Sequence, residues 1–193
     1  MNIYRCPWAG ENPLYINYHD NEWGRPVHDD GKLFEMLILE GMQAGLAWIT
    51  VLKKRDAFRK AFDGFDPEKV ALYDDVKVQE LMANEGIIRN RLKINGAIIN
   101  AKLFLEVAKE HGSFAKFLWG YVDNAPIIGR PAGMENIPAT TPISDKLSKD
   151  LKKMGFKFVG STIIYAYMQA VGMVDDHVVG CFINEATSQT PAK

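Results

Sequence analysis

A chain of 193 residues, 47% hydrophobic and 24% charged, is long enough to bury a substantial interior, and its formal net charge of −1 excludes a polycation. Any nucleic-acid partner must therefore be held by a local patch. No apolar run approaches a membrane span and the start, Met1-Asn2-Ile3-Tyr4-Arg5, lacks the apolar core of a signal peptide, so the expectation is one domain over residues 1–193, or two lobes sharing a core, in the cytoplasm with no membrane partner.

In chain order, residues 1–28 mix aromatics with turn formers and show no clean period, which predicts irregular chain wrapped over a core. From Asp29 or Asp30 as cap, Leu33, Met36, Leu37, Glu40 and Ala44 recur at helical spacing and predict a buried helix. A break near Gly41 to Gly45 leads to a second helix from Trp48 through Val51 and Leu52, ending at a basic turn, Lys53-Lys54-Arg55. Asp66-Pro67-Glu68 opens a short helix. Asp74 or Asp75 opens another, with Val78, Leu81 and Met82 inward and Gly86 as its stop.

Residues 93–111 form the longest amphipathic run, with Ile94, Ile98, Ala101, Leu105 and Ala108 on one face, Gly112 as stop and Ser113 as the next cap. Residues 123–142, with four prolines, read as a long loop. Ser144 is expected to cap a helix with Leu147, Leu151 and Met154 inward, and a last helix follows Gly160. The tail beyond about residue 184 has little to pack and is expected to be mobile. Strand signals are weak, so the expected fold class is all-α. No interface stripe is evident, and a monomer is expected.

Three constellations carry chemistry. The first is Cys6 and His19 with His177 and Cys181, the latter pair four residues apart. Two thiolates and two imidazoles can close a tetrahedron around a structural zinc ion, joining the N- and C-terminal regions. The plain alternative is two buried thiols and two unrelated histidines. In a reducing compartment either reading is favoured over a disulfide.

The second is Glu85-Gly86-Ile87-Ile88-Arg89-Asn90-Arg91-Leu92-Lys93, a helix stop, a tight apolar turn and a new helix start. Exposed amides with Gly86, Arg89, Arg91 and Lys93 suit a phosphate, as in a helix-hairpin-helix; the alternative is an ordinary helical turn with solvated cations. Gly155-Phe156-Lys157-Phe158-Val159-Gly160-Ser161 is a second loop of this kind, with Lys157 and Ser161 as contacts. The third is a cleft formed by Glu40 and Trp48 with Tyr15, Tyr18, Trp8 and Trp23 as walls. Aromatic faces attract cationic rings, and a buried carboxylate favours a cation or an N–H donor; an alkylated purine offers both. The alternative is a Glu that pairs locally among packing aromatics.

Together these features resemble the 3-methyladenine DNA glycosylase I family. The resemblance rests on Tyr18-His19-Asp20-Asn21-Glu22-Trp23-Gly24, Leu39-Glu40-Gly41-Met42-Gln43-Ala44-Gly45-Leu46-Ala47-Trp48, Gly86-Ile87-Ile88-Arg89, Gly155 to Gly160 and Asp176-His177. It implies a helix-hairpin-helix repair enzyme acting on double-stranded DNA that contains 3-methyladenine. Such an enzyme hydrolyses the N-glycosidic bond, releases free 3-methyladenine and leaves an abasic site. By the same resemblance Cys6, His19, His177 and Cys181 match zinc ligands, Glu40 the base-binding and catalytic carboxylate, Trp48 the stacking ring and Tyr18 its neighbour. The Gly45 turn matches the segment that approaches the gap in the duplex.

Two departures from the wider helix-hairpin-helix glycosylases stand out: Ile88 replaces a second hairpin glycine, and the usual catalytic Asp has no match near Lys109-Glu110-His111-Gly112-Ser113. The missing Asp implies an enzyme limited to bases that already leave easily, and the resemblance implies a monofunctional one, with Lys93 a phosphate contact and not a nucleophile. The competing class is a non-catalytic, zinc-stabilised protein that only binds damaged DNA.

Overall fold

The structure, a computed structural model, describes residues 3–184; the tail beyond about residue 184 lies outside the described residues. In chain order its helices are α1 (Pro13–Asn21), α2 (Asp30–Gln43), α3 (Trp48–Ala61), α4 (Pro67–Val70), α5 (Asp75–Ala83), α6 (Arg91–His111), α7 (Phe114–Trp119), α8 (Pro142–Met154) and α9 (Ser161–Ala170). The fold is mostly helical, as the expected all-α class required, with a small sheet added. The sheet consists of two parallel two-residue strands, β1 (Ile127–Ile128) and β2 (Val174–Asp175), with Ile127 opposite Val174.

Every residue of α2 from Leu33 to Met42 is buried. A helix enclosed on all sides sits at the centre of its fold, and α2 is covered by α3, α6, α7 and α9. Asp29 caps it by accepting from the Lys32 amide at 2.8 Å. Asp30, one residue on, accepts from the amides of Phe114 and Ala115 at 2.9 and 2.8 Å, so the first turn of α2 also caps α7. Tyr167 on α9 donates its hydroxyl to the Leu33 carbonyl at 3.1 Å. These bonds fix the rotation of α2, and therefore the direction in which Glu40 points.

The caps expected at Asp66, Asp74 and Ser113 are present, and Asn90 caps α6. Gly112, at φ +84, ends α6. Each such cap contributes about 1 kcal/mol. On α6 the buried face runs through Ile94, Ala97, Ile98, Ala101, Phe104 and Val107, with Leu105 and Ala108 half-buried beside it.

Several expectations need correction. Residues 1–28 are not wholly irregular: α1 occupies Pro13–Asn21, started by Asn12, whose side chain accepts from the Leu14 amide, and by Pro13 in the first turn. Its aromatic and polar residues give it no apolar period, which hid it. α3 does not stop at Lys53-Lys54-Arg55 but runs to Ala61, because Phe58 and Ala61 continue the buried face. Arg55 on that helix forms a two-pronged ion pair with Glu22 at 2.7 and 2.6 Å.

α5 ends at Ala83 with Asn84 as cap, before Gly86. α8 is capped by Thr141, with Ser144 as the reciprocal partner, and Met154 is exposed. The loop over residues 123–142 contains β1 and a 3₁₀ turn, Met134–Asn136, that matters below. Among the described residues, no helix is long and apolar enough to cross a membrane.

Candidate functional site

The C-terminal half of α2, the start of α3, α1 and α9 enclose a cleft of about 370 Å³. Glu40 and the five aromatics expected around it, Trp8, Tyr15, Tyr18, Trp23 and Trp48, all line this one space. Glu40 is 4% exposed, and its Oε2 is buried without a hydrogen-bond partner among the described residues. Burial alone pushes its carboxyl up to about 8. Among the described residues no lysine or arginine pairs with it, so the local ion pair weighed from sequence does not form there. Isolated burial of a carboxylate is costly, and this one persists because a neutral, protonated form is available.

The aromatic walls are braced edge to face. Trp8 meets Tyr15 at 5.6 Å and Trp23 at 5.0 Å between ring centroids, and Tyr18 lies 5.5 Å from Trp48. The Tyr15 hydroxyl accepts from the Ile49 amide at 2.9 Å, which ties α1 to the first turn of α3 and sets the position of Trp48. The indole N–H groups of Trp8 and Trp48 are buried without partners among the described residues. The residues lining the cleft thus bring together one carboxylate oxygen and two indole N–H groups without partners among the described residues, with several flat faces, which suits a planar heterocycle.

Sequence reasoning missed the rest of the lining. Gln43 and Ala47 complete the α2–α3 side, Ala166 and Gln169 come from α9, and Met134 and Ile137 come from the loop before α8. Gln43 is three residues from Glu40, so helical spacing was a usable signal for it. Gln169 is oriented by Asp176, whose Oδ2 accepts from its Nε2 at 2.8 Å and from the Tyr165 hydroxyl at 2.5 Å. Met134 and Ile137 carried no local signal. They reach the cleft because Arg130 pairs with Asp175 at 2.7 Å and β1 pairs with β2.

Behind Trp8 and Trp23 lies the Cys/His cluster. Cys6 Sγ, Cys181 Sγ and a ring nitrogen of His19 lie within 4.8 Å of one another, all on buried residues. His177 lies outside that group of three and packs edge-on against His19, 5.1 Å between ring centroids. Each imidazole gives Nδ1 to a carboxylate: His19 to Asp20 at 2.8 Å and His177 to Asp175 at 2.7 Å. That favours the proton on Nδ1 and turns each Nε2 lone pair outward; the His19 Nε2 accepts from the Cys6 amide at 3.3 Å and lies 3.6 Å from Cys181 Sγ. His177 Nε2 is buried with no partner among the described residues. Cys6 donates to Cys181, which lowers the Cys181 thiol and raises that of Cys6. The donor types of Cys6, His19 and Cys181 suit a soft cation.

Gly24 packs against this cluster at φ +72, and a Cβ there would sit 2.7 Å from His177 Cε1. Gly24→Ala is therefore expected to destabilise the protein by roughly 2–4 kcal/mol, combining left-handed strain with overpacking. Urea unfolding measures it, and a loss below about 0.5 kcal/mol would mean that His177 moves aside freely.

The basic segments fare unevenly. Arg89 and Arg91 are exposed at the α5–α6 turn, with Arg89 3.6 Å from Glu85, and Gly86 is half-buried there. Gly45 and Leu46 are exposed on the turn between α2 and α3, at the rim of the cleft. Lys157 is exposed. Two expectations fail. The Ser161 hydroxyl is engaged by Ser144 and by the Asp145 carboxylate, so it is not free for a phosphate. Lys93 is buried at 9% exposure and donates to the carbonyls of Met42 and Ala44, so it is not a phosphate contact.

Comparison with known proteins adds four findings. The family described as methyladenine glycosylase matches residues 8–184. The chain is 52% identical over 177 residues to DNA-3-methyladenine glycosylase 1 of Escherichia coli (strain K12), covering 92% of this chain and 95% of that protein. A crystal structure of 3-methyladenine DNA glycosylase I superimposes with a TM-score of 0.90 at 54% identity, over 93% of this chain and 98% of that one. A structure of the Staphylococcus aureus 3-methyladenine DNA glycosylase I, described as the structural basis of 3-methyladenine recognition, gives 0.90 at 35% identity over 98% of each chain.

Proposed function

This chain belongs to the methyladenine glycosylase family, and from that premise we propose how its cleft carries out the family's reaction. The enzyme hydrolyses the N-glycosidic bond of 3-methyladenine in DNA, releasing the free base and leaving an abasic site. The observation that carries the proposal is Glu40 Oε2, buried without a partner among aromatic faces. Methylation at N3 of a glycosylated adenine makes the ring cationic, so the base departs neutral and needs little protonation. The lesion must leave the stack to be reached, and its weakened stacking lowers that cost. Once it is in the cleft, the cation ionises Glu40, and the carboxylate then favours the electron-poor sugar as the bond breaks. Positioning between Trp48 and Trp8 supplies the remaining assistance.

The exposed α5–α6 turn, with Gly86, Arg89 and Arg91, is the backbone grip in this reading, as a helix-hairpin-helix would be, and Lys157 adds a second contact. Leu46, exposed beside Gly45, is an apolar tip of the kind that fills a gap in a duplex. Cys6, His19, His177 and Cys181 hold a structural zinc ion, supported by their donor types and by the favoured Nδ1 protons. Four protein ligands leave no position for an activated water, so zinc would supply architecture and not chemistry. We take the enzyme to act as a cytoplasmic monomer.

Incubating purified protein with alkylated double-stranded DNA and separating the released bases tests the function. Free 3-methyladenine is expected. Tight binding of damaged DNA without base release would instead favour the non-catalytic reading, which the family makes the weaker one. The reaction is monofunctional here, so borohydride added during turnover is expected to trap no covalent adduct through Lys93. Such an adduct would overturn that.

A further inference from the structure

α6 carries two buried polar side chains, one in its first turn and one near its middle, and each reaches across to a neighbouring segment. Lys93 Nζ donates to the carbonyls of Met42 at 2.9 Å and Ala44 at 2.7 Å. Asn100 clamps the backbone of Lys157, donating to its carbonyl at 2.9 Å and accepting from its amide at 2.7 Å. Between them Phe158 lies over Gly96 and Gly41, where added Cβ atoms would come within 2.9 and 3.3 Å of it. The end of α2, the loop after α8 and the start of α6 are knitted together at this point.

The last carbonyls of a helix have no amide partner within it and carry partial negative charge. α2 ends on Ala44 at φ −43 and ψ 115, not on a left-handed glycine. The buried ammonium meets that need. Beyond it the turn to α3 is exposed at Gly45, Leu46 and Ala47. Its local backbone bonds run from the Ala44 amide to Gly41 at 3.4 Å and from the Leu46 amide to Gln43 at 2.6 Å.

We propose that Lys93 is a positioning residue. It locks the α2–α3 turn, and with it Glu40 and the Gly45–Leu46 tip, to the helix that follows the α5–α6 turn. DNA gripped at that turn then presents its lesion to the cleft in register. The inference rests on the glycosylase reading above. Lys93 acts through the backbone: burial alone accounts for the raised Glu40 carboxyl, with no share from the lysine.

Lys93→Met, its fold verified by circular dichroism, tests this in two ways. Amide hydrogen exchange over residues 44–47 is expected to accelerate. The excision kcat is expected to fall on the order of 10²-fold, the cost of a misplacement near 1 Å. The salt dependence of DNA binding is expected to keep its slope. A slope reduced by about one unit would make Lys93 a phosphate contact and overturn the inference. Wild-type exchange or wild-type kcat in the variant would overturn it too. If the variant does not fold, Lys93→Gln, neutral and too short to bridge both carbonyls, answers the same questions. A wild-type protein that releases no base would sink the glycosylase reading, while the exchange measurement still judges the tie itself.

Discussion

Glu40→Gln is expected to lower kcat/KM for base excision by 10²-fold or more and, in the same molecule, to raise stability at alkaline pH. The loss follows from removing the charge that meets a cationic base, since withdrawing one preorganised electrostatic group costs about 10²–10³ in rate. The gain follows from burial. The Glu40 carboxyl rises from 4.5 to about 8 on folding, so the folded state holds its proton more tightly than the unfolded chain does. That contribution is fully present below about pH 4.5 and is lost as pH climbs through about 8. Glutamine stays neutral and loses nothing. The difference in unfolding free energy between the two proteins should therefore grow by on the order of 4 kcal/mol across this window. Urea titrations at pH 5, 7 and 9 measure it, and a pH-independent difference would mean that Glu40 is not desolvated.

The same group predicts the pH profile of the reaction. Below about pH 8 most of the free enzyme carries Glu40 protonated, and a cation must displace that proton to enter. The value of kcat/KM for wild type should climb with pH and level off near 8, about tenfold per unit on the acid side. In Glu40→Gln this limb should be absent.

The second large effect concerns the Cys/His cluster. Purified protein is expected to hold one zinc ion per chain, and stripping it or making Cys181→Ser should cost several kcal/mol of stability, on the scale that structural zinc sites contribute. The ion would join a segment entering the fold at Cys6 to one leaving it at Cys181, and both thiols are buried. His177 Nε2, buried with no partner among the described residues, is a polar atom whose desolvation costs about 1–3 kcal/mol unless something meets it. Metal analysis and thermal melts with and without a chelator decide it. Full stability at zero metal content would show that the cluster holds by packing alone.

The residues that carry strong local signals were readable in the chain. Asp29, Asp66, Asp74 and Ser113 announce helix starts through short side chains that satisfy the next turn's amides, a rule needing no tertiary knowledge. Glu40 stood out because it interrupts an apolar face, and the structure does bury it. What stayed hidden depended on contacts distant in sequence. α1 lacks an apolar stripe because its inward residues are Tyr18 and His19. Met134 and Ile137 join the cleft only because a strand pair and an Arg130–Asp175 bond fold their loop onto it. Lys93 reads as a surface cation until the carbonyls of α2 come to rest against it.

Trp8 and Trp23 each present one side to the cleft and another to the histidines, with Trp8 5.3 Å from His19 and Trp23 4.7 Å from His177 between ring centroids. A purine on one side and an ion on the other would press on the same pair of indoles. Thermodynamic reciprocity then applies: whatever factor metal adds to affinity for the base, the base adds to affinity for metal. In a repair enzyme built this way, the affinity for damaged base and the retention of metal would be two readings of one coupling.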